Sequence, residues 1–195
     1  MRSTVIIGVV LLLLVIIFGS AGCSYNGLVK QREEVNAAWA QVENVYQRRS
    51  DLIPNLVNTV KGAANFEKST LEAVISARAS ATQVKLDANN LDEAGLKRFQ
   101  AAQDGLSSAI SRLLVVSENY PDLKANQNFR DLQAQLEGTE NRITQERKKF
   151  NEVVKTYNTK VGTFPTALYA GMFGFTPKAY FTATAGADKA PEVQF

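Results

Sequence analysis

Six carboxylates, Glu67, Glu72, Glu118, Asp122, Glu137 and Glu140, are the side chains here best suited to proton transfer. Acid–base catalysis needs two such groups converging on one bond or one water, with their pKa values held apart. Nothing in their spacing brings two of them together, and as helix-surface residues they read as ordinary solvated charges. The chain has no histidine and a single cysteine, Cys23. This removes Ser-His-Asp and Cys-His nucleophile chemistry, and most routes to a transition-metal site. No glycine-rich phosphate loop of either common spacing is present. A second cluster is denser: Arg48, Arg49, Asp51, Asn55 and Lys61 crowd one stretch. It reads either as a polar patch that binds a partner or an anionic group, or as a capping and ion-pair network that fixes a bend. Catalytic residues, cofactor and metal are all expected to be none.

The elements that must position these residues begin with a membrane segment. Val5 to Phe18 is apolar without a charged or amide side chain, Arg2 precedes it, and Gly19-Ser20-Ala21-Gly22 leads to Cys23. A charged start, an apolar core and a small-residue exit describe a secretory signal. A helix from Val5 to Gly22 would reach roughly 27 Å at about 1.5 Å per residue, close to the ~30 Å hydrocarbon core. Two readings stand side by side: a retained anchor helix, or cleavage before a lipidated Cys23. Ala21, Gly22 and Cys23 resemble a bacterial lipobox, and Ser20 departs from it. Either reading puts residues 1–23 in the membrane segment and the rest of the chain on the non-cytoplasmic side. The net charge of +3 is too balanced for a nucleic-acid footprint, so no nucleic acid is expected.

Downstream the pattern is helical throughout. Asn26-Gly27 suggests a short break. Leu28, Val35 and Val42 then recur every seven residues, with Trp39 and Tyr46 between them. Trp39 on that stripe reads as core. Pro54 predicts a break or kink between Arg49 and Pro54. A second helix is expected from Leu56 to Val84, loosened at Gly62 and Asn65. Asp87 to Asp92 is a turn, and Asp92 caps a third helix that ends at Asn119-Tyr120-Pro121. Phe129, Leu136, Ile143, Phe150 and Tyr157 mark a long fourth helix on a strict seven-residue repeat, ended by Gly162 and Pro165. The aromatic stretch Phe164 to Phe181 either seals the bundle end or presents an apolar patch to lipid headgroups or a partner. Residues 182–195 read as a disordered tail.

Taken in order, Ala38-Trp39, Arg48-Arg49-Ser50-Asp51-Leu52-Ile53-Pro54-Asn55-Leu56-Val57, Ser117-Glu118-Asn119-Tyr120-Pro121, Glu140-Asn141-Arg142-Ile143 and Phe173-Gly174-Phe175 resemble the LemA family of bacterial membrane-anchored proteins. The resemblance implies an all-α fold, an elongated four-helix up-and-down bundle over residues 24–181, and an N-terminal membrane anchor. It implies no settled biochemical activity and assigns no site residues. Some members carry histidine beside the Glu67 position; Phe66 stands here, so a role resting on that histidine does not transfer. The expected function is a non-enzymatic, membrane-anchored envelope scaffold or adaptor whose partners are envelope proteins. The alternative is an envelope sensor holding a small ligand or cell-wall fragment in the bundle.

Overall fold

In the computed structural model the described residues are 2–62 and 66–182, with side chains described from residue 24 onward. The proposed anchor Val5–Gly22, the candidate lipidation site Cys23 and the tail beyond Thr182 thus lie outside the described side chains. Among the described residues no helix is long and apolar enough to cross a membrane. The fold is all-α: α1 (Arg2–Lys61), α2 (Lys68–Gln83), α3 (Glu93–Ser117), the one-turn α4 (Pro121–Ala125) and α5 (Gln127–Gly162). Short 3₁₀ turns at Ala88–Asn90, Thr166–Leu168 and Gly171–Phe173 complete it.

α1 and α5 form the frame. They pack antiparallel along nearly their whole common length, Gly27 beside Lys160 and Arg49 against Glu140. The seven-residue repeats predicted for both supply the seam: Leu28, Val35, Val42 and Leu56 on one side, Phe129, Leu136, Ile143, Phe150 and Tyr157 on the other, all buried. α2 runs back along α1, with Arg78 opposite Ser50. α3 runs forward again, with Phe99 against Trp39 and Gln103 against Arg49. The result is an up-down-up-down order. Caps start the later helices, Asp92 Oδ1 accepting from the Gly95 amide at 2.6 Å and Asn126 Oδ1 from the Phe129 amide at 3.3 Å.

Two expectations about α1 are corrected. It runs unbroken through Asn26-Gly27 and through Pro54; the first interruption falls after Lys61, and α2 starts only at Lys68. Pro54 has no N–H for the Ser50 carbonyl four residues back. That orphan is claimed from outside the helix: Arg78 Nε donates to Ser50 O at 2.9 Å. With the acceptor satisfied and Ile53, Leu56, Val57 and Val60 all buried, tertiary packing carries the helix without a break through the proline position.

The core falls into two clusters. The distal one joins the end of α1 to α2, α3, α4 and the start of α5. The proximal one, nearer the N-terminal segment, is built on α1 from Leu28 to Tyr46 and α5 from Ile143 to Val161. Neither α2 nor the body of α3 reaches it. Its cover comes from Leu91, Leu96 and Phe99 and from the chain after α5, which contributes Ala170, Phe175 and Phe181.

Candidate functional site

Between the clusters lies a polar waist centred on Arg49. It occupies the next position of the repeat Leu28, Val35, Val42, and it is 1 % exposed. Its guanidinium donates to Ser107 Oγ, Glu140 Oε1 and Gln103 Oε1, each at 2.6 Å, and to the Gln103 carbonyl at 3.1 Å. Its flat face lies 5.1 Å from the Tyr46 ring centroid. Gln103 passes the chain of bonds on, donating to Ala81 O at 3.2 Å. One cation thus ties α1, α3 and α5, and through Gln103 the end of α2. Burial pushes the Tyr46 hydroxyl above its ordinary range, against the pull of Arg147 and Arg49.

The five residues of the candidate patch do not share a face. Arg49 points inward, while Arg48, Asp51, Asn55 and Lys61 are exposed. Asp51 accepts from Gln47 at 2.7 Å and the Asn55 carbonyl from Thr59 Oγ1 at 2.9 Å. The carboxylates are dispersed as well. Glu67 accepts from Thr70, Glu72 faces Lys68, Glu118 faces Lys124, Glu137 accepts from Gln133, and Glu140 belongs to Arg49. Among the described residues no three His, Cys, Asp or Glu side chains stand close enough to hold a metal ion together.

Two open clefts flank the waist. One, of about 380 Å³, is lined by Glu43, Tyr46, Ser50, Lys85 and Gln103 among others. Burial raises the Glu43 carboxyl above its usual range, and the neighbouring Trp39 side chain partly offsets this. The Ser50 hydroxyl, buried, has no partner among the described residues. The other cleft, of about 460 Å³, lies between Ser107, Ser111, Leu136 and Glu140.

The aromatic stretch is divided between packed and exposed side chains. Phe175 and Phe181 are buried, whereas Phe173 is half exposed and Phe164, Leu168 and Met172 stand in solvent. Phe181 stacks on Trp39 at 6.1 Å and meets Phe150 edge-on at 5.5 Å. Trp39 is core, as its position on the stripe implied. The chain after Gly174, which takes a left-handed φ of 75°, runs back along α5 as an extended strap. Asn158 holds the Lys178 backbone through both amide atoms at 2.8 Å, and Asn151 holds Phe181 the same way at 2.9 Å. The spacing explains the fit. Seven helical residues rise about 10.5 Å, and three extended residues cover about 10 Å. Gln100 and Arg147 then both donate to Thr182 O. Lys178 is buried and donates to Asn89 O. Sequence reasoning singled out neither Asn151 and Asn158 nor Arg78, Gln103 and Ser107.

An all-α, up-and-down bundle framed by two long helices and closed by a C-terminal strap is the class of protein this geometry defines. The LemA family model matches residues 38–195, and the chain belongs to the LemA family. It is 26% identical to magnetosome protein MamQ 2 of Paramagnetospirillum magneticum and equally to MamQ of Magnetospirillum gryphiswaldense; each alignment takes in 80% of this chain and 64% of the relative. It is 23% identical to protein LemA of Metamycoplasma hominis, over 82% of this chain and 69% of the relative. The chain therefore spans somewhat under two thirds of the length of the MamQ proteins.

Proposed function

We propose that the protein is a non-enzymatic scaffold or adaptor of the bacterial envelope, tethered by its N-terminal apolar segment and docking other envelope proteins along its polar helix faces. The observation that carries this reading is the outer face of α5. Over 36 residues, roughly 54 Å of helix, it exposes an alternation of charges such as Arg130, Glu137, Arg142, Lys149 and Glu152, with its inner face fixed against α1. A long, rigid, charged surface suits recognition by complementary partners more than turnover. The dispersal of the carboxylates onto separate neighbours supports the same reading. The magnetosome relatives carry the name of a structure and not of a reaction. The test is photo-crosslinking in intact cells from probes placed at Arg142, Lys149 and Glu152. Discrete crosslinked protein species are expected; a ladder-free result at all three positions would count against a docking role.

A sensor of a small ligand is the second reading, favoured by one observation. The cleft beside the waist holds the unpartnered Ser50 hydroxyl together with Glu43 and Lys85, a mixed lining suited to a polar ligand with both charge signs. Saturable protection of the Ser50 region by cell-wall fragments would move this reading to the front.

A further inference from the structure

Among the described residues, most large hydrophobic side chains left in solvent gather at one end of the molecule. Tyr25, Phe164, Leu168, Met172 and Phe173 are 41–85 % exposed. Tyr25 touches Phe173 at 5.4 Å and Phe175 at 5.6 Å between ring centroids, so α1 at Tyr25 and the chain beyond α5 form one collar. Exposed apolar surface gathered in one place marks a contact site.

Three observations say what covers it. First, α1 is one continuous helix from Arg2, so the height of the collar above the apolar run is fixed. If Val5–Gly22 fills the hydrocarbon core, Tyr25 lies three residues further on, about 4–5 Å at helical rise. The headgroup layer is about 5–8 Å deep on each side. Second, the composition, phenylalanine, leucine and methionine with one tyrosine, is that of an apolar face suited to the headgroup–acyl boundary. Third, the charges at this end are predominantly positive. Residues 24–32 and 153–182 contain Lys30, Arg32, Lys155, Lys160 and Lys178 and no aspartate or glutamate. Of the acidic residues bordering this end, Glu33 pairs with Arg32 at 3.5 Å, and Asp87 and Asp92 sit beside Asn89 and Leu91, where the strap makes its contact.

We infer that this end of the bundle is a second membrane contact: Phe164, Leu168, Met172 and Phe173, with Tyr25, dip into the headgroup region of an anionic bilayer, and Lys30, Lys155 and Lys160 around them face the lipid phosphates. The contact would hold the rod at a set angle to the membrane instead of letting it swivel on its tether. The inference rests on the tethering part of the proposed function.

The test uses the full chain reconstituted in vesicles of phosphatidylcholine and phosphatidylglycerol, with bromine on the acyl carbons nearest the headgroups. Met172→Trp and Leu168→Trp report on the collar; Val115→Trp, equally exposed but distal, is the control, and the buried Trp39 gives a common background. Interfacial side chains reach about 5–10 Å into the boundary, so the collar variants should be quenched roughly threefold more than Val115→Trp. That excess should shrink when phosphatidylglycerol is omitted. Equal quenching at both ends in a chain that floats with the vesicles overturns the collar contact and leaves the tether standing. Collar emission shielded from bromolipid and from aqueous acrylamide alike means a protein covers it, which overturns the lipid assignment. A chain that does not float removes the tether and the collar contact together.

Discussion

Replacing Arg49 with methionine keeps the length and apolar stem of the side chain and deletes the four hydrogen bonds of the waist. Gln103 is left with its side-chain oxygen deprived of its donor in a site where it is 6 % exposed, while its carbonyl keeps its bond within α3. Removing one partner of a buried ion pair costs about 3–5 kcal/mol. Glu140, however, is 43 % exposed in its side chain and rehydrates once freed, which reduces the cost to about 2–4 kcal/mol. For a chain of this size each kcal/mol moves the midpoint by about 2–4 °C, which places Arg49→Met roughly 4–16 °C below wild type. Glu140→Gln, which keeps an acceptor for Arg49 at the exposed end, should cost under about 1 kcal/mol. Circular dichroism during heating and in urea reads both variants. An Arg49→Met protein within about 0.5 kcal/mol of wild type would refute the view that one cation ties the helices together.

Further perturbations test the other joints. Arg78→Met strips the donor from the Ser50 carbonyl and should cost about 1–2 kcal/mol in urea unfolding; in a Pro54→Ala background, where a backbone N–H is restored, most of that cost should vanish, and additive effects would sink the explanation. Asn158→Ala removes both bonds to the Lys178 backbone, and the Lys178 amide should exchange with deuterium about tenfold faster; unchanged exchange would mean that the strap is held elsewhere. Burial, with Arg32 adding to it and Asp87 opposing, holds the Lys178 amine below its usual range. The folded chain therefore binds fewer protons than the unfolded one, and stability rises with pH as the folded value is passed, up to the ordinary lysine value near about 10.4. Wild type should gain on Lys178→Met across that window. Tyr46 and Tyr157, both raised by burial, lose stability above about pH 10 but cancel in the comparison. Parallel melting curves at every pH would contradict the burial argument.

The all-α class, the long final helix and the Asp92 cap were legible because each rests on a local signal: a repeat of seven, or an oxygen placed before a helix. Pro54 misled because its missing N–H is a local defect with a remote remedy. Arg78 lies 28 residues away in sequence from the carbonyl it serves, and no window of the chain shows the two together. Arg49 was readable in principle. It falls on the repeat that runs from Leu28 through Val42 to Leu56, so its register marked it as buried, but its charge suggested a surface patch shared with its neighbours Arg48 and Asp51. The strap was not readable at all. Asn151 and Asn158 are polar residues on a helix, and only the chain laid beside them shows that each amide substitutes for a backbone partner. The aromatic stretch resisted a single reading because Phe173 and Phe175, two residues apart in an irregular segment and both against Tyr25, differ sharply in burial.

The account rests above all on a rod held at a bilayer by its apolar N-terminal run. Fractionation of cells making the full chain, with alkaline carbonate washing and then flotation, measures this directly. The chain should stay with the membranes through the wash and enter solution only with detergent. Intact protein in the aqueous fraction before detergent would contradict it.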